Sequence, residues 1–396
     1  MIQPLELIVA GGGIGGLAAA LVLGRQGHAV TVLEQSPAFG EIGAGIQLGP
    51  NIFRMFEFLG LTEAVNAVAY FPPGMGMNDV RTGEKVVRVP LGDAARAVYG
   101  YPYGLIYRAD LHDVFLQACR ATPTVRLRTS AKVEGFEQDG RRVRVHVGGE
   151  TLEADALIGA DGLWSRVRQQ IVGDGKPRVS GHIAYRAVLK REDVPEHLWN
   201  DDVLLWGGEK THLVHYPLRR GELFNLVAVF HSNKYEEGWN TFGDTEELNE
   251  RFAHAVPQVK ELLGKIETWK MWVLCDREPV QTWSDRRATL LGDAAHPMLQ
   301  YLAQGAGQAI EDAVVLGEAL KATGGDVVSA FEKYQQARYL RTGRVQLTAR
   351  FYGDIYHACG VTRELRNQMF QSGKESAGFA GLKWMYEGID PHKLFT

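Results

Sequence analysis

The residues that point most plainly to chemistry are glycines. Gly11, Gly13 and Gly16 stand in a G-x-G-x-x-G spacing, between the apolar run Leu5–Ala10 and the alanine- and leucine-rich stretch Leu17–Arg25. A strand that turns into a helix at such a place can hold a pyrophosphate. Gly11 permits the sharp turn, Gly13 lets the backbone approach the phosphates, and Gly16 lets strand and helix pack closely. The unpaired N–H groups of the helix N-terminus supply the positive pole. Glu34 closes the next apolar run, Ala29–Leu33, 18 residues beyond Gly16. A carboxylate there accepts hydrogen bonds from ribose hydroxyls and suits an unphosphorylated ribose, as in FAD or NAD. The plainer alternative is a glycine-rich turn that binds nothing, which the joint presence of strand, helix and acidic residue disfavours.

These groups need a parallel sheet to position them, and the strand–turn–helix–strand order at the N-terminus predicts one. The chain has 396 residues, enough for two or three domains. Its 45% apolar and 23% charged residues are those of a soluble globular protein, and a net charge of −4 gives no basic field to collect nucleic acid. Cys119, Cys275 and Cys359 are far apart. They predict neither a disulfide framework nor a cysteine zinc site, and they suit a reducing cytosol. Leu7–Gly24 is 18 residues without a charge, but it is broken by glycines and preceded only by Glu6. It reads as strand, turn and buried helix rather than as a transmembrane segment or secretory signal. In residues 176–275, alternating segments such as Leu213–Tyr216 and Phe224–Phe230, with turn signals at Gly207-Gly208 and Arg220-Gly221, predict a mostly antiparallel sheet. After Thr289-Leu290-Leu291 the pattern is helical through residue 370. Residues 331–396 carry ten Lys/Arg against six Asp/Glu. That excess reads as a solvated helical face, with an anionic partner as the sharper alternative.

Two further segments decide which dinucleotide is bound. One is Asp155-Ala-Leu-Ile-Gly-Ala-Asp161-Gly-Leu-Trp-Ser-Arg-Val-Arg168; the other is Thr289-Leu-Leu-Gly-Asp293-Ala-Ala-His-Pro297. With the glycine motif before them, over roughly residues 3–345, the chain resembles the single-component flavoprotein aromatic hydroxylases, the group A FAD monooxygenases. The resemblance implies tightly but non-covalently bound FAD, NAD(P)H and O2 as co-substrates, and a phenolic substrate hydroxylated through a flavin C4a-hydroperoxide. It implies a hydroxybenzoate-hydroxylase-like α/β fold. A discontinuous Rossmann-like FAD-binding domain takes residues 1–75, 100–175 and 276–345. A mostly antiparallel β-sheet substrate domain takes 76–99 and 176–275, and a helical C-terminal region, 346–396, offers a homodimer contact. The resemblance gives Asp293 to the ribityl chain, Arg108 to the flavin phosphate and ribityl region, Asp161 to a motif serving both FAD and NAD(P)H, and the Val133 backbone to adenine. Gly305, Ala306 and Gly307, before a helix near Gln308, face the flavin N1/O2 edge, where a helix dipole stabilises the anionic reduced ring. The structural alternatives are a helix cap for Asp293, a surface ion pair for Arg108, a turn former for Asp161, strand core for Val133 and a plain N-terminal turn at 305–307. No basic cluster is placed for a 2′-phosphate, which favours NADH.

The reaction then needs a group to accept the phenol proton, groups to orient the ring, and exclusion of water. In Thr211–Pro217 the two-residue strand period puts His212, Val214 and Tyr216 on one face and His215 on the other. His212 can take the phenol proton, with an unperturbed imidazole titrating near ~6.5. Tyr216 can donate a hydrogen bond to substrate or hydroperoxide. A hydrogen-bonded sheet histidine and an aromatic packing residue are the bland readings of the two. No metal is expected, because His212 and His215 straddle the sheet. Many relatives read H-P-[ML]-x-P, whereas this chain reads His296-Pro297-Met298-Leu299-Gln300-Tyr301. Gln300 adds an amide that both donates and accepts. With His212 and Tyr216 it resembles the branch that hydroxylates 3-hydroxybenzoate para to the phenol, giving gentisate, more than the salicylate 1-hydroxylases. A neutral loop substitution remains its alternative. Arg186 reads as a substrate-carboxylate anchor or, preferably, as an ion-paired support of sheet or flavin loop. A pyridine-nucleotide dehydrogenase would share Gly11–Glu34 without needing Asp161 or Asp293. A non-catalytic flavin or lipid carrier would not need His212, Tyr216 and Gln300.

Overall fold

The computed structural model describes residues 3–40, 43–233, 242–372 and 375–395. The apolar run before the glycines forms the strand Glu6–Ala10, whose last four residues are buried. Ala29–Leu33 and Ala156–Gly159 pair with it in parallel, one on each side. Across this six-stranded sheet the order is 284–285, 288–290, 156–159, 6–10, 29–33 and 125–128, parallel except at the 284–285 edge. The helix Ile14–Arg25 is buried almost all round. It is wedged between this sheet and the helix Gly305–Ala322, so both faces need alanine, leucine and valine. At Gly16 an added Cβ would lie 2.0 Å from the Gly11 carbonyl oxygen, which is why that position has no side chain.

A seven-stranded sheet lies apart from the first, in the order 270–276, 178–190, 223–231, 211–218, 203–208, 74–79 and 85–90. It is antiparallel except where 203–208 runs beside 74–79. One face carries an apolar core that includes Tyr185, Leu213 and Phe230. The other carries Ala184, Tyr216, Val227 and Val229 toward the rest of the molecule. A three-stranded antiparallel sheet, 133–138, 143–147 and 150–154, was not foreseen from the sequence. Its short alternating strands pack Phe136, Val143 and Val145 onto the first core.

The C-terminal part is helical: Val327–Tyr356, Gly360–Ser372 and Glu375–Tyr386. Asp326 caps the first of these through Val328 N–H, and its 30 residues run from the first sheet's side to the second's. No described helix is long and apolar enough to cross a membrane.

Candidate active site

A cavity of about 930 Å³ runs from the glycine turn to the inner face of the antiparallel sheet, at the upper end of the range for small-molecule sites. Its lining holds Lys85, Arg88, Arg108 and Arg186 but, among the described residues, one carboxylate, Asp293. That balance favours anionic ligands.

Five of the expected cofactor residues, Gly13, Arg108, Asp293, Gly305 and Ala306, line one end. Gly13 is the N-cap of Ile14–Arg25, and no side chain caps that helix. Its first N–H groups are therefore left for a ligand. Gln304 likewise gives no side-chain cap to Gly305–Ala322. A Cβ at Gly305 would meet only Asp293 Oδ1, at 3.9 Å. Two uncapped helix N-termini, a bare glycine surface and a carboxylate between them fit a flavin dinucleotide.

The other expected cofactor residues are not among those lining the cavity. Gly11 and Gly16 shape the turn from behind, and Gly307 leaves room for Ile52. Glu34 accepts from Gly12 N–H and Ser36 N–H, both at 2.8 Å. It braces the turn and keeps lone pairs for a ribose. Asp161 accepts from Ser165 Oγ–H and from Arg166 N–H at 2.7 Å, which fixes the start of the next helix, while its neighbours Ala160 and Gly162 reach the cavity. Val133 is buried strand core.

Sequence reasoning missed the clamp beneath the Asp293 loop. Asp312 accepts from Gly292 N–H at 3.0 Å and lies 2.6 Å from His296 Nε2 and 2.6 Å from Arg338 Nε. Glu311 accepts from Arg338 Nη1 at 2.6 Å and Arg341 Nε at 2.7 Å. Burial alone would keep Glu311 neutral, but Arg341 and Arg338 outweigh it and hold its carboxyl at about 2. Asp312 is likewise held ionised against burial by His296 and Arg338. Arg168, the last residue of the Asp161 segment, donates to Ala294 O at 2.9 Å and Ala295 O at 2.6 Å. The available signal was two adjacent acids inside an apolar helix, which demand buried cations.

The opposite end brings together His212, Tyr216 and Gln300. Strand alternation works as expected: Val214 joins His212 and Tyr216 in the lining, while His215 turns away and accepts from Trp206 Nε1–H at 3.0 Å. Gln300 opens a short turn, and its Oε1 accepts from Arg186 Nη2–H. Its amide N–H groups remain for a ligand. Arg186 follows the preferred expectation except for the ion pair. It supports the loop through Gln300's carbonyl, and among the described residues it has no acidic partner. It also lies over Trp272, its Nε has no partner, and burial weakens its hold on its proton. Tyr216 is pushed above the usual phenol range, first by burial, with Arg186 opposing.

His212 departs from the value expected of a free imidazole. Burial, and then the neighbouring His182, push it down to about 3, so it stands neutral. Its Nδ1 faces His357 Nε2 at 2.7 Å, leaving Nε2 for a bound ring. His357 Nδ1 faces His231 Nε2 at 3.0 Å. His182 stacks on His231, ring centroids 4.0 Å apart, and Tyr301 O–H donates to its Nδ1. These three histidines were not anticipated. His182 and His231 were legible in principle, since they pair across neighbouring strands on the same sheet face as Arg186 and Val229.

A family of FAD-binding domains matches residues 5–346. The chain belongs to this family. It is an FAD-dependent monooxygenase. It is 47% identical over 383 residues to the 3-hydroxybenzoate 6-hydroxylase of Polaromonas naphthalenivorans (strain CJ2), covering 96% of each chain. It is 44% identical to that of Klebsiella oxytoca, over 98% of this chain and 97% of the relative. Among solved structures, a salicylate hydroxylase substrate complex superposes with a TM-score of 0.82 at 26% identity, covering 98% of this chain and 96% of the other. Klebsiella pneumoniae HpxO with FAD and uric acid gives 0.85 at 26%, covering 97% of each.

Proposed function

We propose that this protein hydroxylates 3-hydroxybenzoate para to its phenol, giving gentisate (2,5-dihydroxybenzoate), with NADH and O2 as co-substrates. The observation that carries the reading is the meeting of His212, Tyr216, Gln300 and Arg186 at one end of a cavity whose other end fits FAD. Relatives named 3-hydroxybenzoate 6-hydroxylase, similar over nearly the whole chain, support it.

FAD supplies electron transfer and oxygen activation when bound; the side chains do the rest. Arg186 receives the carboxylate, since it has no acidic partner among the described residues. His212 Nε2 takes the phenol proton, and the Gln300 amide fixes the phenol oxygen. Two substituents held in meta relation fix the ring's axis, and the walls of the enclosed cavity then select the edge that faces the flavin end. Tyr216, enclosed and un-ionised, donates a hydrogen bond. The three acids salicylate, 3-hydroxybenzoate and 4-hydroxybenzoate test the reading, scored for product as well as NADH. Gentisate from 3-hydroxybenzoate in a one-to-one ratio with NADH is expected. Coupled conversion of salicylate to catechol, with NADH merely consumed on 3-hydroxybenzoate, would move the chain to the salicylate 1-hydroxylase class.

The finer cofactor contacts are read the same way: the turn Gly11–Gly16 on the pyrophosphate, Glu34 on ribose, Arg108 and Asp293 on the ribityl-phosphate chain, and Gly305–Gly307 at the flavin. A homodimer and a cytoplasmic location complete the proposal. Leu340, Leu347 and Phe351 form an exposed apolar stripe on one helix, which supports the former. Light scattering measures it directly.

A further inference from the structure

We propose that His357 and His231 extend the site beyond His212 as a proton relay, carrying the phenol proton from the enclosed cavity along the sheet's inner face to the half-buried His231. The proposal rests on the reading of His212 as the group that takes that proton.

The geometry is a continuous chain of ring nitrogens. His212 lines the cavity and is almost fully enclosed, at 2% exposure. Its Nδ1 lies 2.7 Å from His357 Nε2, and His357 Nδ1 lies 3.0 Å from His231 Nε2. His357 is buried, whereas His231 is only half-buried. With Nδ1 protonated on all three rings, every contact has one donor and one acceptor, and the chain points one way. The nitrogens of His182, His231 and His357 also lie within 4.8 Å of one another. His357 Nδ1 and His231 Nε2 are within hydrogen-bond distance of each other, and with these tautomers one donates and the other accepts, which is the arrangement of proton transfer rather than of lone pairs converging on an ion.

The transfer balances. The phenol O–H bond breaks and an N–H bond forms at His212 Nε2. His212 Nδ1 gives its proton to His357 Nε2, His357 Nδ1 gives its proton to His231 Nε2, and His231 Nδ1 releases one to water. Phenol has become phenolate, hydronium is in solvent, and each ring has exchanged tautomer. When the product's phenol is re-formed, a proton travelling inward restores the start.

Two features favour conduction over storage. His212, lowered to about 3 by burial and His182, cannot keep a proton it accepts. His357 is lowered by burial and by His212, His182 and His231, so no ring in the chain is a trap. His357 also follows the C-terminus of the helix Val327–Tyr356, where the dipole steadies a passing positive charge. At the outer ring, burial, Lys210 and Arg251 oppose protonation and Asp354 favours it.

The test mixes the FAD-loaded enzyme with 3-hydroxybenzoate in weak buffer and follows proton release with an indicator dye, alongside phenolate absorbance. His357→Gln and His231→Gln should slow both about 10- to 100-fold, less than the 10²–10⁴ expected for loss of the base in His212→Gln. Added imidazole should restore the rate in His231→Ala, and the wild-type step should slow in deuterium oxide. If His357→Gln loses its flavin, the His231 variants carry the comparison. Wild-type release in the His357 and His231 variants, with His212→Gln slow, overturns the relay and leaves His212 as the base. Wild-type release in His212→Gln overturns both.

Discussion

The two ends of the cavity are made of different material. The cofactor end is largely backbone: helix N-termini at Gly13 and Gly305, a bare turn, and one carboxylate, Asp293. The substrate end is side chain: imidazole, phenol, amide and guanidinium from two strands and a loop, with His212 and Tyr216 almost fully buried. Backbone donors are placed by local geometry and need no tuning. Side-chain groups have to be tuned, and burial does it here, holding His212 neutral, Tyr216 un-ionised and Arg186 in want of an anion. One end is a mould and the other is an environment.

Removing what the two ends share should do the most damage. Arg338→Met would leave Glu311 and Asp312 buried without their common cation, at a cost of about 3–5 kcal/mol. FAD retention and hydroxylation should fall together, with a lower denaturation midpoint; an unchanged midpoint would separate the clamp from both ends. Asp293→Ala acts on the cofactor end alone. It should weaken FAD by roughly 1–3 kcal/mol, and wild-type flavin occupancy after extensive dialysis would contradict that role. Acid acts mainly on the antiparallel sheet, on both of its faces. His212 and His215 are each lowered to about 3, so between the free value of ~6.5 and about 3 the unfolded chain binds more protons than the folded one. Stability is therefore full above ~6.5 and falls with pH, by about 1.4 kcal/mol per pH unit for each ring. Thermal melts from pH 7 to 4 measure this, and His215→Phe should flatten the slope. The smallest effect is expected from Gln300→Pro. Proline is tolerated at the first position of a turn, so the loop should survive. The lost amide is worth about 0.5–1.5 kcal/mol, read as a severalfold lower gentisate yield per NADH and more released peroxide.

The same contrast explains what could be read from the sequence. The parallel sheet, the glycine turn and the Asp293 loop are encoded by contiguous residues with fixed spacing, and each forms where its segment lies. The face shared by His212, Val214 and Tyr216 follows from alternation within one strand. His357 could not be found that way, because it meets His212 from 145 residues away. Nor could the tuning of His212 be read, because it comes from neighbours on other strands and from enclosure. Glu34 and Asp161 were placed by motif, yet their carboxylates brace the backbone, and a motif does not distinguish holding the cofactor from holding the turn that holds it.

The helix Val327–Tyr356 has a further consequence, for which changes of length the molecule tolerates. Arg338 on this helix grips the acids under the cofactor loop, and His357, one residue past its end, meets the substrate strand. Nineteen residues separate them, roughly 28 Å at 1.5 Å each. The helix is thus a ruler. One residue inserted between Thr342 and Gly353 would swing His357 about 100° around the axis and carry it 1.5 Å along, with every side chain unchanged. Surface turns such as Asp139–Arg142 are free to vary in length, but descendants of this chain inherit the count between those two residues along with the residues themselves.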